Sequence, residues 1–178
     1  MDLEQRVADL ERRLAALEQA AERTAEPAPG LPEPSPARVP GDDLWALHGF
    51  KEQLAELGAD NGGVLFTGAV RTPSGKRYEW QYGLVTDTVL ERDWGEAAES
   101  FAALGQPVRL RLLREILGGR STAAELAELD GTGTTGQIYH HLRQLTAAGW
   151  LHTAARGRYE VPVARVVPLL VMLTAAER

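Results

Sequence analysis

Glycine closes almost every apolar stretch between positions 105 and 157, and this punctuation constrains the chain more than any other feature. Gly105-Gln106-Pro107 ends one helical pattern, over about 95–104, and opens the next. Pro107 suits the first turn of a helix, where an N–H would have no partner in any case. Val108, Leu112, Leu113 and Ile116 then recur at helical spacing until Gly118-Gly119 stops them. Ser121 or Thr122 can cap a short helix over 123–129, and Gly131-Thr132-Gly133 makes a turn. A longer helix follows from Thr134 or Thr135 to Ala148, with Ile138, Leu142 and Leu145 inward and Gly149 as its closing glycine.

A short helix, a glycine turn and a longer helix make a helix-turn-helix unit. The next residues add to it. Segments 150–153 and 158–161 read as short strands around an Ala155-Arg156-Gly157 tip, which is the hairpin called a wing. The last predicted helix, 163–176, is apolar on much of its surface, which suggests burial against another surface such as a second subunit. Pro168 is expected to kink it or to confine its regular part to the later turns. Residues 96–178 are thus expected to form a winged helix-turn-helix domain.

The rest of the chain reads differently. Leu3, Val7, Leu10, Leu14, Leu17 and Ala21 keep a heptad spacing, with Val7 at a and Leu3, Leu10 and Leu17 at d. Arg6 and Arg13 at g face Glu11 and Glu18 at e of a parallel partner, so residues 1–24 are expected to form a dimerising coiled coil. Six prolines between 26 and 40 make 25–41 an extended linker. Residues 42–95 read as a helix, to about Leu57, followed by two strands at 64–71 and 77–86. Thr72-Pro73-Ser74-Gly75 suits a type I turn between them. Tyr78, Trp80 and Tyr82 alternate on one face of the second strand, a possible ligand or interface face. A lone hairpin is unstable in water, so this one must pack on something. The expected fold class is mainly α with small β elements.

Net charge is −6, which at first argues against a nucleic-acid partner. The distribution matters more. Residues 1–60 carry 13 acids against 6 bases, whereas 105–165 carry 8 arginines against 5 acids. The base-rich stretch is the one that needs to meet phosphate.

The run A-L-G-Q-P-V-R-L-R-L-L from Ala103, then A-E-L-A-E-L from Ala124, then Q-I-Y-H-H-L-R-Q-L-T-A-A-G-W-L from Gln137, resembles the ArsR-type winged-helix repressors over about 100–176. The resemblance implies a dimer that binds double-stranded DNA with the 134–148 helix in the major groove. Thr134, Thr135, Gln137, Tyr139, His140 and Arg143 are then the candidate DNA contacts, with Gln137 able to pair with adenine. Arg156 and Arg158 on the wing suit phosphates or the minor groove. Gly136 stands where the family often has serine, and His141 is expected to pack.

Many members of that family sense metals through cysteines or terminal-helix histidines. This chain has no cysteine, and 163–178 holds no histidine, so no metal site and no cofactor is expected. There is no phosphate loop, GxSxG or HExxH, and the expectation is a non-enzyme. No apolar run approaches a membrane span and no signal peptide is visible, so a cytoplasmic place is expected. The leading reading is a homodimeric transcriptional regulator, with a small-molecule effector possible at the Trp80 face. The alternative is an adaptor that uses the coiled coil and winged helix for protein contacts.

Overall fold

The computed structural model describes residues 44–177. The segments expected as coiled coil and linker, 1–24 and 25–41, lie outside them, as do positions 42 and 43. From Trp45 onward the chain forms one compact unit, mainly helical with two small antiparallel sheets. Its elements are α1 (Trp45–Glu56), β1 (Gly63–Arg71), β2 (Arg77–Val85), α2 (Thr86–Glu91), α3 (Gly95–Leu104), α4 (Pro107–Gly118), α5 (Ala123–Ala127), α6 (Thr135–Ala147), β3 (His152–Ala154), β4 (Arg158–Glu160) and α7 (Val163–Ala176). No helix among the described residues is long and apolar enough to cross a membrane.

The glycine punctuation works through backbone geometry. Gly119 sits at φ 118° after α4, where its N–H donates to the Ile116 carbonyl and that of Arg120 to the Glu115 carbonyl. Gly149, at φ 72°, closes α6 in the same way. The N–H groups of Trp150 and Leu151 then both donate to the Leu145 carbonyl. Any side chain at these two sites would be strained in the left-handed region. The helices they separate share one core. Leu112, Leu113, Leu126, Ile138, Leu142, Leu145, Trp150, Leu151, Val166 and Leu169 are all buried in it.

Several boundaries differ from the sequence reading. Trp150, Leu151 and Val161 belong to the core, and the wing strands shrink to three residues each. Helix α5 ends at Ala127, not Leu129. Helix α2 had no sequence signal that separated it from a loop. Helix α7 continues through Pro168. The proline removes one hydrogen bond, the one to the Ala164 carbonyl four residues back. Ala164 is exposed, so water can meet that carbonyl, while burial of Val166, Val167 and Leu169 holds both sides of the proline in place.

The β1–β2 hairpin packs on α7. Residues opposite one another in an antiparallel pair share a face, and the register places Phe66 with Tyr82, Gly68 with Trp80 and Val70 with Tyr78. This face meets α7 at Gly68, where an added Cβ would lie 2.7 Å from Val167 Cγ1. Tyr78 reaches the main core. On the opposite face α1 covers the hairpin base: a Cβ at Gly63 would lie 2.9 Å from Phe50 Cζ and 3.1 Å from Leu54 Cδ2. The aromatic face of β2 is therefore largely consumed by packing, with Tyr82 exposed beside Phe66.

Gly68→Ala should destabilise the protein by about 1–3 kcal/mol through overpacking against α7. Gly68→Ala combined with Val167→Ala should recover part of that loss, because the second change opens the space the first one fills. Urea unfolding of the two singles and the double checks this. Strict additivity would show that the hairpin does not depend on this contact.

Candidate nucleic-acid interface

Helix α6 separates its two faces cleanly. Ile138, Leu142 and Leu145 have no solvent exposure. Thr134, Thr135, Gly136, Gln137, Tyr139, His140, Arg143 and Gln144 are all exposed. The inner face fixes the rotation of the helix, and the outer face presents a continuous row of polar and aromatic groups at its N-terminal half. The six residues singled out on this helix from the sequence fall together on that surface.

The turn that introduces α6 is tightly held. Thr132 is buried, and its hydroxyl donates to the Leu129 carbonyl at 2.7 Å. Arg111 Nη1 donates to the Asp130 carbonyl. Gly131 and Gly133 take φ values of 72° and 92°. A capping box starts the helix: Thr134 N–H donates to Gln137 Oε1 at 2.8 Å, and Gln137 N–H donates to Thr134 Oγ1 at 3.4 Å. A Cβ at Gly133 would collide with that Gln137 amide oxygen. Gln137 is thus exposed and its amide oxygen is engaged, so pairing with adenine in two hydrogen bonds requires the cap to open. Thr134-x-x-Gln137 has the spacing of a capping box, a signal that the reading of Gln137 as a base contact did not use.

Helix α5 starts with the same device. Glu125 Oε2 accepts from the N–H groups of Ser121 and Thr122, both at 2.8 Å, and Thr122 Oγ1 accepts from Glu125 N–H at 3.2 Å. These backbone donors hold the Glu125 carboxyl below the usual carboxylate range, with a smaller contribution from the Arg158 charge. Thr122 also bridges to Arg158 in an antiparallel pair, and Tyr159 N–H donates to the Ser121 carbonyl, so the wing is fastened to the start of α5. Arg158 is exposed on β4, and Arg156 lies in the Ala155–Gly157 tip.

The arginine excess is less available than counting suggests. Arg109 is buried, with Nη1 donating to the Ala102 and Ala103 carbonyls at 3.4 and 3.3 Å and Nε donating to His141 Nδ1 at 3.4 Å. It ties the C-terminal end of α3, where the helix dipole favours a cation, to α6. Arg165 lies over the Trp150 ring, 4.8 Å from its centroid. Arg114 and Arg120 both pair with Glu115. Arg109 was the residue missed: it stands three and four positions before Leu112 and Leu113, on their face of α4.

The helix-turn-helix domain family matches residues 104–153, from the end of α3 into β3. That stretch is a helix-turn-helix domain. It covers less than a third of the chain. No curated protein and no solved structure matches the chain. Domains of this kind seat their second helix, here α6, in the major groove of DNA.

His141 gives this domain a pH dependence. Burial lowers its pKa below 6.5, and the charges of Arg109 and His140 lower it further. The unfolded chain therefore binds the proton first as pH falls. Stability should be full above pH 6.5 and should decline as pH drops below it. In His141→Asn, whose amide oxygen can accept from Arg109 without titrating, the thermal midpoint should change less between pH 7 and pH 5. Equal pH dependence in both proteins would clear His141 of this role.

Proposed function

We propose that the protein is a homodimeric, sequence-specific regulator of transcription. It binds double-stranded DNA through α6 and the wing, and it acts as an ArsR-like repressor with neither metal sensing nor catalysis. The observation that carries this reading is the exposed row from Thr134 to Arg143, oriented by a fully buried opposite face and followed at once by a hairpin bearing Arg156 and Arg158. Helix N-termini attract phosphate, and the side chains in this row are types that contact bases and backbone. The absence of cysteine, and of histidine in 163–178, is what removes metal sensing from the reading.

Dimerisation is supported by the surface shared by α3 and α7. Phe101 is 59 % exposed and Leu173 40 %, around a groove that Leu104, Leu110 and Met172 also line. Exposed apolar patches of this kind mark interaction sites. A two-fold dimer would place two α6 helices for half-sites one helical turn apart.

Binding of the full-length protein to duplexes selected from a random pool tests the reading. Log affinity should fall linearly with log salt concentration as counterions are released. Gln137 separates folding from recognition. Gln137→Glu keeps the capping box, as Glu125 does for α5, and should retain wild-type stability. It should nonetheless weaken binding about 10- to 100-fold, because it loses the amide donor and adds a charge facing phosphate. Gln137→Ala should lose about 1 kcal/mol of stability with the cap. Normal affinity in Gln137→Glu would remove α6 from the DNA. In sedimentation equilibrium, Leu173→Glu should shift the protein from dimer towards monomer, and an unchanged dimer would place the interface elsewhere.

A further inference from the structure

We infer that the tip of the β1–β2 hairpin is a second phosphate-contact surface, set beside the wing, which extends the DNA footprint past the helix-turn-helix domain. This rests on the DNA-binding reading above. The register pairs Arg71 directly with Arg77 at the last step before the turn, and both are exposed. Like charges directly opposite each other across two strands destabilise a sheet. The nearest acid on that face is Glu79, opposite Ala69, and neither arginine forms an ion pair with another described residue. Two cations held together at a cost suit a polyanion that neutralises both.

The tip is preorganised and correctly placed for this. Thr72 is buried; its N–H donates to the Lys76 carbonyl at 2.9 Å, and its carbonyl accepts from Gly75 N–H at 2.8 Å. The Thr72 and Ser74 hydroxyls are 2.8 Å apart. Ser74 Cβ lies 3.6 Å from where a Cβ would stand on Gly119, next to the start of α5. Lys76 Nζ lies 3.5 Å from Glu160 Oε2 on β4, the strand that carries Arg158. Lys76 is thereby a positioning residue, which ties the tip to the wing, while Arg71 and Arg77, on the hairpin face turned away from α7, are the contacts. Duplex DNA is the occupant because the neighbouring wing is, in the DNA-binding reading above, a part of the domain that meets its backbone.

The test compares wild-type protein with Arg71→Gln/Arg77→Gln, both full length, on the selected site in a long duplex and in one trimmed to the bases under α6 and the wing. On the long duplex the variant dimer, which lacks four arginines, should bind more weakly, with the same base preference and a salt slope shallower by about 3.6. The wild-type advantage should then shrink about a hundredfold between 50 and 200 mM salt. On the trimmed duplex the two proteins should converge. Without DNA the variant should melt at the same temperature as wild type or higher, since the like-charge pair is gone. Equal slopes on the long duplex overturn the inference and leave the DNA-binding reading intact. So does a variant that binds weakly only because it melts earlier. A wild-type protein that binds no duplex overturns both.

Discussion

Everything outward on α6 depends on what is inward. Successive helical residues point about 100° apart, so rotating the helix by one position would put Ile138 and Leu142 where Tyr139 and Arg143 now meet solvent. The complete burial of Ile138, Leu142 and Leu145 against Leu112, Leu113 and Leu126 prevents that rotation. Losing one such leucine to alanine costs about 2–5 kcal/mol, far more than any single surface hydrogen bond returns. The exposed row on α6 is therefore a consequence of packing, and Arg109 adds a polar tether from α3 to the same helix through His141.

The hairpin answers the packing demand posed by α7. A helix that is apolar over most of its circumference must be covered on more than one side. Val166 and Leu169 face the main core, and Val167 faces Gly68 of the hairpin. The remaining exposed apolar groups, around Leu173, adjoin α3. The hairpin gains as much as the helix does, since two strands alone do not hold together in water. One contact thus stabilises both partners and also brings the hairpin tip to the wing.

The order helix, glycine turn, helix, hairpin and apolar helix was legible in the sequence because each signal is local. Apolar spacing, a capping threonine and a glycine at positive φ need no knowledge of distant residues. The docking of the hairpin was not legible. Gly68 reads as a weak point in a strand until Val167 stands against it, 99 positions later. Nothing separates Thr86–Glu91 from a loop except its position behind β2. The outcome for Gln137 is intermediate. Its spacing from Thr134 fits a cap and its chemistry fits adenine, and only the folded structure shows that the cap holds its oxygen.

Charge shows the same dependence on context. A net charge of −6 says little about where phosphate can approach. The arginines of 105–165 divide by neighbourhood: Arg109 serves the core, Arg165 an indole face, and Arg114 and Arg120 a glutamate. Arg143 and Arg158 stand exposed near the recognition helix and the wing, without an ion pair among the described residues. Arg71 and Arg77 join them from a part of the sequence whose charges balance. A screened surface pair contributes less than about 1 kcal/mol, so Lys76 and Glu160 matter mainly for the geometry they set. Electrostatic function in this fold is decided by which cations packing leaves unmatched among the described residues, and Arg71 and Arg77 are two of them, at a hairpin tip that Lys76 ties to β4.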